Sequence, residues 1–222
     1  MTALKDCLLH ETPRPTGDVR VNINLPFGLQ CVLDFLSGFL TAYPGIKFSV
    51  DLTDQVVDLV EHRADVAICI GPMRDLELLQ RKLMETHFVT VAAPSELEIH
   101  GIPETVNDLE GHSCLTFAFR RQAPEWKFYD EAGQLRTFTP KGNILLGDGK
   151  SMRRLTLAGA GIAQLSLFQV QEDLAARKLV PVLERFAARE PQTVHAVFMW
   201  SNRYMPQKSP CPNRLSGRKS PS

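Results

Sequence analysis

Between Asp65 and Gly71 the chain runs Val66-Ala67-Ile68-Cys69-Ile70 without a polar break. Five such residues are too few for an ordinary helix and suit a strand. A strand that is apolar on both faces needs cover on both faces, which is the condition of a parallel sheet flanked by helices. The residues before it fit that plan. Val19, Val21, Ile23 and Leu25 alternate with Arg20, Asn22 and Asn24, the period-two pattern of a first strand. Leu29, Val32, Leu33, Leu36, Phe39 and Leu40 recur at helical spacing. Pro44-Gly45 stops that helix, because proline lacks an amide donor and glycine accepts turn dihedrals. Ile46, Phe48, Val50 and Leu52 then alternate with Lys47, Ser49, Asp51 and Thr53 as a second strand. Asp54 is placed to cap a helix whose apolar stripe is Val56, Leu59 and Val60. Open sheets of this kind take ligands in the crevice at the carboxyl ends of their strands. Residues 25–28, Thr53-Asp54 and residues 70–72 are therefore expected on one rim. A helix N-terminus after Asn24 would favour an anionic ligand there, and an ordinary strand-to-helix turn accounts for the same residues.

The second half is read more coarsely. Residues 88–93 form a strand, and Pro94-Ser95 opens a helix. A short helix is expected over residues 105–109 and a strand over residues 112–117. His112 reads as a structural histidine, since no carboxylate or cysteine stands near it at a recruiting spacing. Residues 126–128 and 135–138 read as a hairpin. Residues 144–146 form a short strand, Ser151 caps a helix through Met152, Leu155 and Leu157, and Gly159-Ala160-Gly161 breaks it. A strand over 162–167, a helix near 169–176, a segment over 179–183 and a last strand over 193–200 complete the pattern.

Several function classes find no support. Gly149-Lys150-Ser151 ends like a phosphate-binding loop, but Ile144 stands where the first glycine belongs. Gly159-Ala160-Gly161 starts like a dinucleotide fingerprint, but Gln164 holds the third glycine's place and a helix precedes it. There is no GxSxG elbow, HExxH or paired cysteine-histidine signature, so no catalytic residue, metal site or cofactor is expected. The five cysteines, Cys7, Cys31, Cys69, Cys114 and Cys211, have no metal-ligand or CxxC spacing and read as thiols of a reducing cytosol. Formal net charge is zero over 222 residues. Residues 207–222 hold Lys208, Arg214, Arg218 and Lys219 and no acid, so the rest carries about −4 formal charges, unlike a DNA-binding body. No uninterrupted apolar run spans a membrane, and residues 1–15 lack a signal peptide's apolar core; a cytoplasmic protein is expected.

Phe27-Gly28, Phe39-Leu40, Tyr43-Pro44, Asp54, Val57-Asp58-Leu59-Val60, Asp65-Val66-Ala67-Ile68 and Ile70-Gly71 follow one another in an order and spacing that resembles the effector-binding domain of LysR-type transcriptional regulators. The resemblance covers about residues 18–206. It implies an α/β, two-lobed fold like the type 2 periplasmic binding proteins, with mixed sheets, a two-strand hinge and a small-molecule site between the lobes. Lobe I is expected over residues 18–92 plus 194–206, and lobe II over 93–193. Residues 1–17 would be a linker remnant and residues 207–222 a disordered, atypical tail. Carried onto this sequence, the effector site would draw on Asn24, Pro26, Phe27, Thr53, Asp54, Cys69 and Gly71 from the first lobe. Phe117, Asp148 and Ser166 would come from the second. Asp54 and Asp148 read equally as helix caps, and Phe117 equally as core. Pro26 and Cys69 stand where the resembled subgroup commonly has a serine or threonine and an arginine, so two polar anchors differ. The resemblance further implies a homodimer, or pairing with intact protomers, through the helix over residues 29–40. No helix-turn-helix precedes the matched stretch, so direct DNA binding by this chain is not expected. The alternatives are a cytosolic solute-binding protein or enzyme on the same scaffold, or a non-functional truncated regulator.

Overall fold

The computed structural model describes residues 15–54, 64–71, 79–118 and 125–198, which form two five-stranded mixed sheets and a two-stranded hairpin. In the first sheet β1 (Gly17–Ile23) lies between β2 (Ile46–Leu52) and β3 (Val66–Ile70), parallel to both. The register sets Val21 beside Val50 and Ile23 beside Leu52. Both strands thus turn the same alternate residues to one face. That face meets Ile68, Ile70, Phe27 and Val194 in a common core. The helix expected over Val56, Leu59 and Val60 lies outside the described residues, as do residues 199–222.

β12 (Gln192–Phe198) pairs antiparallel with β3, and β4 (Leu79–Thr86) pairs antiparallel with β12 at the sheet edge. Sequence patterning gives only Leu78-Leu79 in this region and misses β4. Its residues include Arg81, Lys82 and Glu85, all exposed, as suits an edge strand packed on one face only.

The second sheet runs β11 (Val180–Pro181), β5 (Phe88–Ala92), β10 (Ile162–Ser166), β6 (Cys114–Phe117) and β9 (Leu145–Leu146). Successive residues feed opposite faces. Val91, Leu115 and Ala163 pack with Met152, Val170 and Leu179, whereas Ala92, Cys114 and Ile162 pack with Trp126, Phe128 and Phe186. The hairpin β7 (Trp126–Tyr129) and β8 (Leu135–Phe138) lies where expected and buries Trp126 and Phe128. β5, carried with the first lobe in the sequence reading, is hydrogen-bonded into this second sheet. The chain crosses between the sheets at His87. At the start of β10, Gly161 has φ +145, and a Cβ there would run into the Ser113 carbonyl. The close approach lets the Ile162 amide donate to Ser113 O at 2.8 Å.

α1 (Leu25–Ala42) follows β1 directly. Its residues Gly28–Val32 form a π-helical turn, in which the Leu33 amide donates to Gly28 O. Eighteen residues at mean hydropathy 1.4 reach the length and composition of a membrane span, although Gln30 and Asp34 interrupt the run. Its first turn is part of a protein core, with Pro26, Phe27 and Gly28 buried. Residues 29–32 are half-buried, with Cys31 and Val32 on the core, and from Leu33 the helix is largely exposed, with Phe35 keeping 78% of its surface open.

Cys114 is wholly buried. Burial pushes its thiol up to about 12, with a smaller push from Glu96 and a partial offset from the Lys141 amide. The thiolate is the nucleophile. Iodoacetamide at pH 8 should leave Cys114 unmodified in the native protein and label it in urea; native labelling, read by peptide mass mapping, would contradict this environment.

Candidate functional site

The carboxyl ends of β1 and β2 meet the N-termini of two helices of the other lobe. Asn24 caps α1: its Oδ1 accepts from the Phe27 amide at 3.2 Å. The same side chain donates through Nδ2 to Asp54 Oδ1 at 2.6 Å, and the Leu25 amide donates to that oxygen at 3.1 Å. Asp54 Oδ2 reaches across to the second lobe and accepts from the Gly149 amide at 2.8 Å. Gly149 opens α3 (Gly149–Leu157), so a carboxylate from one lobe sits on a helix N-terminus of the other. Burial pushes the Asp54 carboxyl above its ordinary range. The Gly149 and Leu25 amides pull it back, and the Asp148 carboxylate adds to the rise.

Asp148 is the residue that caps α3, with its Oδ1 accepting from the Ser151 amide at 2.7 Å and its Oδ2 from the Ser151 hydroxyl at 2.7 Å. The sequence offered both Ser151 and Asp148 as caps, and Asp148 is the one that caps. It stands three residues before Ser151, which is its donor.

Apolar and amide contacts close the same seam. α4 (Leu167–Ala175) sends Phe168 into the first lobe's core. There its ring stands edge-to-face on Phe27 at 5.6 Å. Gln30 Nε2 donates to Gln169 O at 3.1 Å. A Cβ on Gly149 would stand 3.0 Å from Pro26 Cγ and 3.0 Å from Gln169 Oε1, so only a glycine fits without displacement. Gln169 Oε1 is itself buried with no hydrogen-bond partner.

Of the expected site residues, the structure gathers Asn24, Pro26, Phe27, Asp54 and Asp148 at this seam. Thr53 is half-buried beside it, and its amide donates to Ile23 O at 3.0 Å. Ser166 is buried at the end of β10, one residue before α4. Phe117 ends β6 beside Leu146 and packs against the second lobe's core. Cys69 sits differently. Its neighbours Ile68 and Ile70 point into the core with Phe27, so Cys69 faces the other side of the sheet, across from His195. Burial raises its thiol pKa. Gly71, with φ +99, donates to Thr193 O at 3.0 Å. It lines an open groove of about 510 Å³ with Glu190, Pro191, Gln192, Thr193 and His195. Gly149 lies where the turn over residues 147–149 was expected, facing residues 25–28; Phe168, Gln169 and Gln30 were not foreseen, and nothing in their local sequence marks them. Among the described residues, no three His, Cys, Asp or Glu side chains gather into a metal site.

The sequence model of the LysR substrate binding domain family matches residues 13–207. The chain belongs to the LysR family. The LysR-type regulator CrgA of Neisseria meningitidis serogroup C is 31% identical over 190 residues, covering 86% of this chain and 62% of that protein. The transcriptional regulator DmlR of Escherichia coli is 30% identical over 187 residues, covering 83% of this chain and 60% of that protein. This LysR chain thus spans about 62% of the length of the first of these relatives. The solved regulatory domain of CrgA superposes with a TM-score of 0.76 at 29% identity, covering 83% of this chain and 89% of that one. Full-length AphB of Vibrio cholerae, at 22% identity and a TM-score of 0.74, shares the fold. The two sheets are the two lobes of a periplasmic-binding-protein-like fold, and the relatives are transcriptional regulators.

Proposed function

We propose that this LysR-type domain senses a small molecule held between its lobes and transmits occupancy through the arrangement of two protomers. The observation that carries the reading is the seam: polar groups of β1, β2, α1 and α3 converge at strand carboxyl ends, where open α/β sheets take ligands. A ligand shifts such a system only by its differential affinity for the two arrangements. The second half of α1 supports the pairing of protomers. Leu33, Phe35, Phe39, Leu40 and Tyr43 expose apolar surface that a second copy, or an intact protomer, would cover. The domain then works beside DNA in the cytoplasm as the sensing part of a regulator and is not itself an enzyme.

A thermal-shift screen over aromatic acids, amino acids and sugar acids tests the first claim. At a hundredfold excess over the dissociation constant, an effector should add about 2.7 kcal/mol of stability. A set of such compounds that leaves the melting curve unmoved would remove the sensor reading, and turnover of a hit would replace it with an enzyme. Sedimentation velocity tests the second claim. Phe35→Glu should shift a dimer to monomer without lowering the melting temperature of the monomer; an unchanged sedimentation coefficient would place the dimer contact elsewhere.

A further inference from the structure

An effector-sized cleft needs free hydrogen-bonding groups, yet the groups at this seam are already engaged by the protein itself. The first amides of a helix have no intrahelical partner and are the ones that hold anions. Gly149 gives its amide to Asp54, a residue 95 positions away on the opposite lobe. Asp54 is held in place from behind by the Asn24 side chain and the Leu25 amide. The closure is imperfect. Gln169 is 6% exposed, and its Oε1 lies against Gly149 without a donor. A buried acceptor left unmade opposes the closed seam, whereas the Asp54 bond favours it. The two carboxylates at the end of α3, Asp54 and Asp148, also repel.

We propose that Asp54 is an internal ligand that latches the two lobes. Its carboxylate occupies the helix N-terminus that an external carboxylate would otherwise fill, so entry of a carboxylate effector and release of the latch are one event. This deepens the sensor reading and rests on it. The effector class that follows is a small carboxylate, with Gln169 Oε1 as the acceptor for a hydroxyl or amino group beside it.

The test uses the 222-residue chain and Asp54→Ala, with amide hydrogen exchange followed at single residues. Because a first-turn amide has no partner within its helix, protection at Gly149 reports the latch directly. Exchange at Gly149 should rise about tenfold or more in Asp54→Ala, while the Val91 and Leu165 amides of the second sheet keep their wild-type rates. Sodium formate, which restores the missing carboxylate without the tether, should return protection at Gly149 in a saturable way. Sodium chloride at equal ionic strength should not. Unchanged Gly149 exchange in the variant, or equal rescue by chloride, overturns the latch. If Asp54→Ala does not fold, Asp54→Asn supplies the comparison: it should exchange faster at Gly149 than wild type, and wild-type rates there overturn the proposal as well. The outcome stands apart from the effector screen. Formate rescue without any screen hit keeps the Asp54 contact and removes the sensor together with the carboxylate effector; a screen hit with unchanged Gly149 exchange keeps the sensor and removes the latch.

Discussion

Replacing Phe168 with alanine should lower stability by about 3–5 kcal/mol, the range for deleting a buried phenyl ring. Phe168 belongs to α4 of the second lobe but is 5% exposed inside the first lobe's core, with Ile23, Phe27 and Val194. Truncation removes three things together: transfer of the ring from water, the edge-to-face pair with Phe27, and the filling of a space that the first sheet cannot close. The expected result is a lower urea midpoint and faster proteolysis within the first lobe, because that lobe loses a core residue it does not itself encode. Phe168→Leu, which keeps most of the volume, should recover most of the loss. A Phe168→Ala unfolding free energy within about 0.5 kcal/mol of wild type, the range of ordinary surface substitutions, would mean that the lobes are stable without each other.

His112→Ala should also lower stability, for a different reason. Glu96 is 2% exposed on α2 (Pro94–His100), and its carboxylate is met by His112 Nδ1 at 3.3 Å and His100 Nδ1 at 3.2 Å. His112 is buried and His100 is half open to solvent. Removing the buried partner leaves a carboxylate in a dry place with one exposed neighbour. Leaving a buried acceptor without its donor costs about 1–3 kcal/mol, and more where the acceptor is charged. His112→Gln, which still carries a donor, should cost less. The double variant His112→Ala with Glu96→Leu should recover part of the loss, since it removes the unpartnered buried acceptor as well. If the single and double variants unfold at the same urea concentration, the pair does not hold this corner of the lobe.

The first lobe was legible because its signals are local. β1 and β2 alternate cleanly, β3 is apolar throughout, and Pro44-Gly45 ends α1 where the chain turns, with the Ile46 amide donating to Tyr43 O at 3.1 Å. β4 was missed because an edge strand needs only one apolar face, and its charges hide the rest. The site was legible in part. Asn24 and Asp54 were placed on one rim, but the bond between Asp54 and Gly149 joins residues 95 apart, which no local period records. The partner of His112 was missed for the same reason: Glu96 is sixteen residues upstream, on a helix that packs into the second core through Leu97. Cys69 shows the limit of transferring a position by resemblance. Its place in the strand was right, and the sheet's alternation then turned its side chain towards His195, away from Phe27.

The π-helical turn at Gly28–Val32 divides α1 into two lengths with different duties. A π turn amounts to one residue inserted into a regular helix, and a residue is worth about 100° of rotation. The angle between the buried Phe27 and the outward Phe35 is therefore set by that extra residue as well as by the helical spacing on either side. Deleting Gln30, the one polar side chain between Gly28 and Val32, would keep every apolar side chain and still swing the outer stripe by roughly a quarter turn. Evolution in this segment by insertion or deletion would redirect which surface meets a neighbour while Phe27, ahead of the turn, keeps its place against Phe168.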